Sequence, residues 1–383
     1  MGSVRLRTVI AHPLARTVGG GLIKVRRWQD TLGTPGPPFM AEREHMYRSF
    51  TSLTCKALVV AGTFLLSIST SAADQKSSYA YAHLQQSLER LAAQARPGLL
   101  GVTVLDVDTG MVTRVNADHA YPMMSVFKAP LAATVLAQID AGRLSLDQKV
   151  TIDRKDVADG SAIPSIGAHF VGEKMTFTVQ RLLIATVSES DNTAADALFR
   201  LIGGSKAVTE FLQAHGVSGM HVDLDEAGVA RIFDGTENGV AISPSETDQQ
   251  AAVRLRRGYS AFLRDPRNRT TADAAADFLK KLWNGQLLSR GSTKQLLDLM
   301  YGQTVPTRLR SGLPANVRLA DKCGTSYSLD GETAAFNDIG IMTGPHGHTV
   351  IVAAFLTASR ADKRRRDALF AEMAKDVLKT FAR

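Results

Sequence analysis

The sequence predicts an α/β (α+β) protein in which one antiparallel sheet is built from both ends of the chain, with an all-helical domain inserted between them. Near the N-terminal end, residues 99–107 and 111–115 read as strands around an Asp-Thr-Gly turn. Near the C-terminal end, residues 339–343 and 349–356 flank a Gly-Pro-His-Gly turn. The intervening residues 125–315 have mostly helical periodicity. Strands at both ends and helices between them favour a single sheet with an inserted domain.

Two further helices are predicted to flank the sheet. Apolar residues recur at helical spacing before the first strand and after the last one: Leu84, Leu88 and Leu91, and Phe370, Met373, Val377 and Phe381. The sheet is therefore expected from residues 74–124 and 316–383, within a domain that spans residues 74–383.

Residues 1–73 have the pattern of a leader that ends in a secretory signal peptide. Arg48 and Lys56 precede an apolar run, residues 57–68, which is followed by Ser71-Ala72-Ala73. A basic segment, a short apolar segment and a small-residue exit predict cleavage near Ala73 and a periplasmic or secreted protein without a stable membrane anchor. A buried core helix is the less favoured interpretation of the apolar run.

Charge and cysteine content argue against a nucleic-acid-binding protein and against a disulfide-stabilised fold. The chain has a net charge of +8, but residues 1–73 carry nine basic and three acidic residues, so the remainder has a net charge of only about +2. Nucleic-acid binding is therefore not predicted. Cys323 is the only cysteine after the leader, which leaves no intramolecular disulfide. The arginine-rich residues 249–269 are interpreted as a solvated helix and loop rather than a basic contact surface.

Three short motifs occur in an order that points to a nucleophilic serine. They are Ser125-Val126-Phe127-Lys128 at a predicted helix start, Ser190-Asp191-Asn192 after a helix, and Lys322-Cys323-Gly324-Thr325 where the last strands begin. Each motif alone is weak, but the ordered set is specific.

The chemistry of these residues fits together. A serine hydroxyl needs a base within hydrogen-bond reach, and Lys128 lies three residues after Ser125, on the same helical face. Burial and a second cation, Lys322, would let Lys128 act as that base. Ser190 could relay a proton to a leaving nitrogen, and Asn192 could hold a substrate amide.

With this motif set, the chain from about residue 80 onwards resembles the class A serine β-lactamases. The resemblance implies a sheet joined to a helical domain, and hydrolysis of a small-molecule β-lactam through an acyl-serine intermediate. It also implies a glutamate that activates the deacylating water, and Glu226, in the stretch 222–226, takes that position. The family has an asparagine four residues later, where this chain has Ala230.

The third motif also departs from the family pattern. Cys323 replaces a threonine or serine, and a thiol is a weaker donor for the substrate carboxylate. Gly324 and Thr325 complete the binding strand, and the backbone N–H of Thr325 is expected in the oxyanion hole with that of Ser125. The carboxylate-binding arginine of many members is replaced by Asn337. Arg308 resembles the alternative placement found in other members.

Two other functions stay open. A penicillin-binding peptidase or esterase of the same fold would acylate but deacylate slowly, and a non-catalytic cell-wall-binding protein would form no adduct. The sequence contains no His-Glu-x-x-His motif or paired cysteines, so neither a metal nor a cofactor is predicted. We expect a monomer.

Overall fold

The computed structural model describes residues 72–239 and 241–381. The chain divides into two units, Met1–Ser67 and Ile68–Arg383, and the account below concerns the second. The predicted signal peptide lies almost entirely outside the described residues, although Ala72 and Ala73 begin the first helix. Among the described residues, no helix is long and apolar enough to cross a membrane.

The described residues form ten strands and ten α-helices. The strands are β1 (Leu99–Asp106), β2 (Val112–Val115), β3 (Tyr121–Pro122), β4 (Lys149–Asp153), β5 (Lys174–Thr178), β6 (Arg269–Thr270), β7 (Arg318–Thr325), β8 (Ser328–Leu329), β9 (Glu332–Thr343) and β10 (Thr349–Ser359). The helices are α1 (Ala72–Gln94), α2 (Lys128–Asp140), α3 (Val179–Val187), α4 (Asn192–Ile202), α5 (Lys206–Ala214), α6 (Glu226–Phe233), α7 (Asp248–Arg264), α8 (Ala272–Trp283), α9 (Arg290–Tyr301) and α10 (Lys363–Phe381).

The main sheet joins the two ends of the chain, as the sequence predicts. Its order is β2-β1-β10-β9-β7, with β8 on β9, and the paired strands are antiparallel. Side chains alternate between the two faces of β10, so Val350 and Val352 pack towards α1 and α10, whereas Ile351 and Ala353 pack towards the helical domain. Because both faces are covered, β10 reads as an almost continuous apolar run.

The inserted segment is helical except for the β4–β5 hairpin and the short β6. Helix α2 lies at its centre, where it packs against α3, α4, α5 and α9. Helix α8 instead packs on β1 and β10, so it covers the sheet although it falls within residues 125–315.

Part of the arginine-rich segment is not solvated, in contrast to the prediction. Arg269 is buried, and its guanidinium donates to the backbone oxygens of Phe262, Leu263 and Asp265. Burial lowers the pKa of Arg269. This arginine therefore fixes the C-terminal end of α7 against β6, a contact within seven residues that the local charge density does not reveal.

Candidate active site

Ser125 lies in a short 3₁₀ turn that precedes α2 rather than in the helix itself. Residues 124–127 form a single 3₁₀ turn, and α2 begins only at Lys128, three residues later than a helix starting at Ser125 would. Met124 has a positive φ of 46°. Such backbone strain persists where the surroundings enforce it, and it is common at active sites. Positions i and i+3 are eclipsed in a 3₁₀ turn, so Ser125 and Lys128 still meet.

Lys128 is fully buried and surrounded by oxygens. Its Nζ lies 3.0 Å from Oγ of Ser125, 2.9 Å from the backbone oxygen of Ser190 and 2.6 Å from Oδ1 of Asn192. It also forms a 2.9 Å ion pair with Oε1 of Glu226. The structure thus brings four of the predicted site residues to the side chain of one lysine.

Lys322 joins the same cluster from the sheet side. Its Nζ donates to Oγ of Ser190 at 3.0 Å and to the backbone oxygen of Cys323 at 3.0 Å. Burial lowers the pKa of Lys322 to about 8, and the charge of Lys128 acts in the same direction. Ser190 has a φ of 56°, and its hydroxyl lies between the two lysines, 3.4 Å from Nζ of Lys128.

Glu226 is the first residue of α6, which Asp225 caps by accepting from the N–H of Gly228 at 2.7 Å. The Glu226 side chain is 7% exposed, so the alternative of a surface carboxylate does not hold. Its Oε1 also accepts from Oγ of Ser125 over a long 3.4 Å.

Asp196 holds the Glu226 segment, and sequence reasoning missed it. Its two carboxyl oxygens accept the backbone N–H groups of Glu226 at 2.8 Å and of Ala227 at 3.0 Å. Burial, and then the charges of Asp225 and Glu226, raises the pKa of Asp196 to about 7. The available signal was its position one helical turn after Asn192 on α4, which places both side chains on one face.

Asn268 is a second residue that the sequence did not reveal. Its Oδ1 accepts from the N–H groups of Asp223 at 2.7 Å and Leu224 at 2.9 Å, and its backbone oxygen accepts from the N–H of Met123 at 3.0 Å. With a φ of 51°, Asn268 thus links the start of the Glu226 segment to the turn that carries Ser125.

Gly324 allows β7 to pass directly beside that turn. A Cβ at this position would lie 2.6 Å from the backbone oxygen of Met123 and 3.1 Å from the backbone nitrogen of Ser125. The neighbouring Cys323 is buried, and its Sγ accepts from Nε2 of Gln303 at 3.4 Å.

Arg308 is buried next to Thr325, to whose hydroxyl it donates, and its guanidinium lies 4.1 Å from the ring centroid of Phe336. Its Nε and Nη1 have no hydrogen-bond partner among the described residues. Asn337 does not face this group, because its Nδ2 donates to the backbone oxygens of Pro122 and Met123.

A polar cleft of about 800 Å³ opens onto Ser125 between the inserted helical segment and the C-terminal end of β7. Its walls include residues 155–160, the start of α6, and the turn after β7, where Thr325 is exposed. A separate, mostly apolar groove of about 280 Å³ lies between α10 and the β9–β10 turn, far from the serine motifs in the fold. The cleft is therefore the candidate active site.

Comparison with known proteins agrees with this geometry. The profile of the β-lactamase enzyme family matches residues 83–381. The chain is 32% identical to the extended-spectrum β-lactamase PER-1 of Pseudomonas aeruginosa, covering 83% of this chain and 93% of that protein. A β-lactamase structure from Chitinophaga pinensis is similar with a TM-score of 0.67 and 31% identity, covering 78% and 99% of the two chains. An ancestral class A β-lactamase structure is similar with a TM-score of 0.63 and 34% identity, covering 78% and 100%. The chain therefore belongs to the β-lactamase enzyme family, among its class A serine enzymes.

Proposed function

We propose that this protein hydrolyses the amide bond of β-lactam antibiotics in two steps, with Ser125 as the nucleophile. The observation that supports this best is the convergence of Ser125, Lys128 and Glu226. Oγ of Ser125 lies 3.0 Å from the amine and 3.4 Å from the carboxylate, so bases for both steps are within reach of one serine.

In the first step, Oγ of Ser125 loses its proton to the Lys128–Glu226 pair and bonds to the β-lactam carbonyl carbon. The oxyanion is stabilised by the backbone N–H groups of Ser125, in the 3₁₀ turn, and of Thr325, on β7, which Gly324 allows to pass close to that turn. The C–N bond then breaks, and the nitrogen takes a proton from Ser190. Lys322, 3.0 Å from Oγ of Ser190, returns a proton to that hydroxyl. The proton taken from Ser125 then passes from Lys128 through the same hydroxyl, 3.4 Å from its Nζ, to Lys322, which leaves Glu226 ionised for the second step.

In the second step, Glu226 takes a proton from a water molecule, whose oxygen attacks the acyl carbon. Oγ of Ser125 then leaves with the proton that Glu226 took from the water, which restores both side chains, and the product is the ring-opened acid. Thr325 is exposed in the cleft and its hydroxyl accepts from Arg308, so this hydroxyl is suited to donate to the substrate carboxylate, and the buried guanidinium behind it adds positive charge.

Intact-protein mass spectrometry with benzylpenicillin tests this proposal. Wild type should return to its unmodified mass, Glu226→Gln should keep the penicilloyl adduct, and Ser125→Ala should form none. Removal of a general base costs about 10²–10⁴-fold, so the Glu226→Gln adduct should persist for minutes or longer. Glu210→Gln, an exposed glutamate on α5, is the matched control.

The other outcomes identify the alternatives. A stable adduct on wild type would indicate a penicillin-binding peptidase or esterase with slow deacylation. No adduct on either wild type or Glu226→Gln, together with no consumption of benzylpenicillin by wild type, would indicate a non-catalytic binding protein.

We also propose that residues 1–73 are a removable leader and that residues 74–383 act as a periplasmic or secreted monomer. N-terminal sequencing of protein recovered outside the cytoplasm tests the first point, and size-exclusion chromatography with light scattering tests the second. Recovery of unprocessed chain in the cytoplasm would contradict the leader.

A further inference from the structure

The mouth of the cleft contains an aromatic side chain that the proposed mechanism does not use. Tyr327 follows β7 and is 57% exposed, although large apolar rings usually bury more of their surface. Its ring packs edge-on against Phe233 at the end of α6, with 5.9 Å between centroids. Tyr327 therefore reaches from the sheet to the opposite wall of the cleft.

Gly160 lets the tyrosine come close to the third wall. A Cβ on Gly160 would lie 2.4 Å from the Tyr327 hydroxyl oxygen, and Gly160 has a φ of 76°. The same loop is fixed to the site, because Nδ2 of Asn192 donates to the backbone oxygen of Asp159 at 2.7 Å. The Tyr327 ring thus lies across the entrance, above the residues that would hold the substrate.

The charges around this ring are negative. Asp159 and Asp234 are exposed and line the cleft on the two sides of Tyr327. Burial, and then the charges of Asp234, Asp159 and Glu226, raises the pKa of Tyr327. Of the basic residues on the cleft wall, Arg200 pairs with Asp156 at 3.6 Å, whereas Lys155 and Arg231 are exposed.

We propose that Tyr327, Asp159 and Asp234 form a specificity subsite that favours β-lactams with a cationic side chain over those with an anionic one. This inference rests on the proposed β-lactam hydrolysis and names the charge class that the site prefers. The ring offers a face for a cation, and two carboxylates at the same entrance add attraction that salt screens.

Three penicillins that differ at one carbon provide the test. Ampicillin carries an α-amine, carbenicillin an α-carboxylate, and benzylpenicillin neither. The kcat/KM of each is measured near pH 6, where the amine is protonated and the carboxylate is ionised. At low salt, we expect kcat/KM to be about tenfold higher for ampicillin than for carbenicillin. The two side chains differ by two charges, and the carboxylates of Asp159 and Asp234 attract one and repel the other across a screened distance. The ratio should fall towards one at high salt.

The variants separate this subsite from general charge effects. Asp159→Asn with Asp234→Asn should reduce the ratio to about twofold or less, whereas Glu210→Gln with Asp298→Asn, two exposed carboxylates outside the cleft, should leave it unchanged. Tyr327→Ala should lower kcat/KM for ampicillin more than Tyr327→Phe does, because only the alanine removes the aromatic face.

The results that overturn the inference are distinct from a failure of the proposed function. A ratio that the Asp159 and Asp234 substitutions leave unchanged, or a preference for carbenicillin arising from Lys155 and Arg231, would refute the subsite while β-lactam hydrolysis stands. If wild type hydrolyses none of the three penicillins, the proposed function is refuted instead.

Discussion

The carboxyl of Asp196 should make the stability of this protein depend on pH, and one substitution should remove that dependence. Burial and two neighbouring carboxylates raise its pKa to about 7 in the folded protein, whereas an aspartate in an unfolded chain titrates near about 4. A carboxyl whose pKa is raised by folding stabilises the folded state while it is protonated. Its contribution is full below about pH 4 and is lost as the pH rises through about 7.

The size of the effect follows from these two pKa values. Raising the pH from about 5 to about 8.5 removes the part of this stabilisation that corresponds to about two pKa units, or about 3 kcal/mol. Asp196→Asn removes the titration and keeps one acceptor oxygen for the N–H groups of Glu226 and Ala227. Over that range, the free energy of unfolding of wild type should fall by about 3 kcal/mol relative to the variant.

Urea unfolding at several pH values measures this difference, with Asp140→Asn as the control. Burial alone would raise the pKa of Asp140, but hydrogen bonds from Ser289 and Ser292 lower it. Its contribution is therefore present above about pH 4 and is lost only in stronger acid, so the control difference should stay constant over the tested range. A constant difference for Asp196→Asn as well would refute the reasoning.

Three further predictions concern the β7 side of the site. Since burial lowers the pKa of Lys322 to about 8, kcat/KM should fall above that pH as the ammonium loses its proton. Lys322→Arg should lower kcat/KM, because a guanidinium does not release a proton to Ser190, and should remove the fall near pH 8; an unmoved alkaline limb would mean that another group titrates. Gly324→Ala places a Cβ 2.6 Å from the oxygen of Met123, so acylation measured by stopped-flow should slow by about 10²-fold or more, as expected when an oxyanion donor is displaced; a near-normal rate would show that the turn adapts. Cys323→Thr should change KM less than about twofold, because the side chain contacts Gln303 rather than the cleft; a larger improvement would show that position 323 reaches the substrate.

The parts of the fold that local pattern controls could be predicted. Helical spacing gave α1 and α10, and the turn at Gly344 gave β9 and β10, although β9 begins seven residues earlier than predicted, at Glu332. The packing of α8 on the sheet could not be predicted, because an amphipathic helix does not specify which surface covers its apolar face. The same limit explains Arg269, whose burial depends on carbonyl groups at the end of another element.

The residues of the active site also fall into those that the sequence could predict and those that it could not. The residues within each motif could be named because their spacing places them on one turn or strand, whereas the grouping with Glu226 came from the resemblance to the class A β-lactamases. Asp196 and Asn268 act on backbone N–H groups of a segment far along the chain, and any such contact is invisible until the chain is folded. Both residues hold the Glu226 segment, so the chain positions its proposed deacylating base with contacts that no short motif contains.

The surroundings of Lys128 limit how a proton can leave Ser125. A backbone oxygen, an amide oxygen and a carboxylate can only accept, and these three lie within 2.6–2.9 Å of Nζ. These three acceptors can bind all three protons of the Lys128 ammonium. Oγ of Ser125, 3.0 Å from Nζ, must therefore compete with them for a hydrogen bond. For Lys128 to accept the serine proton, it must first release one, and the nearest ionised acceptor is Glu226. The lysine and the glutamate, 2.9 Å apart, therefore belong to one proton network that serves both the proposed acylation and the proposed deacylation step. Glutamine at position 226 keeps an oxygen beside Lys128 but cannot take a proton from it. A trapped adduct in that variant therefore requires that Lys128 release its proton by another route. Ser190, whose hydroxyl oxygen lies 3.4 Å from Nζ, provides that route.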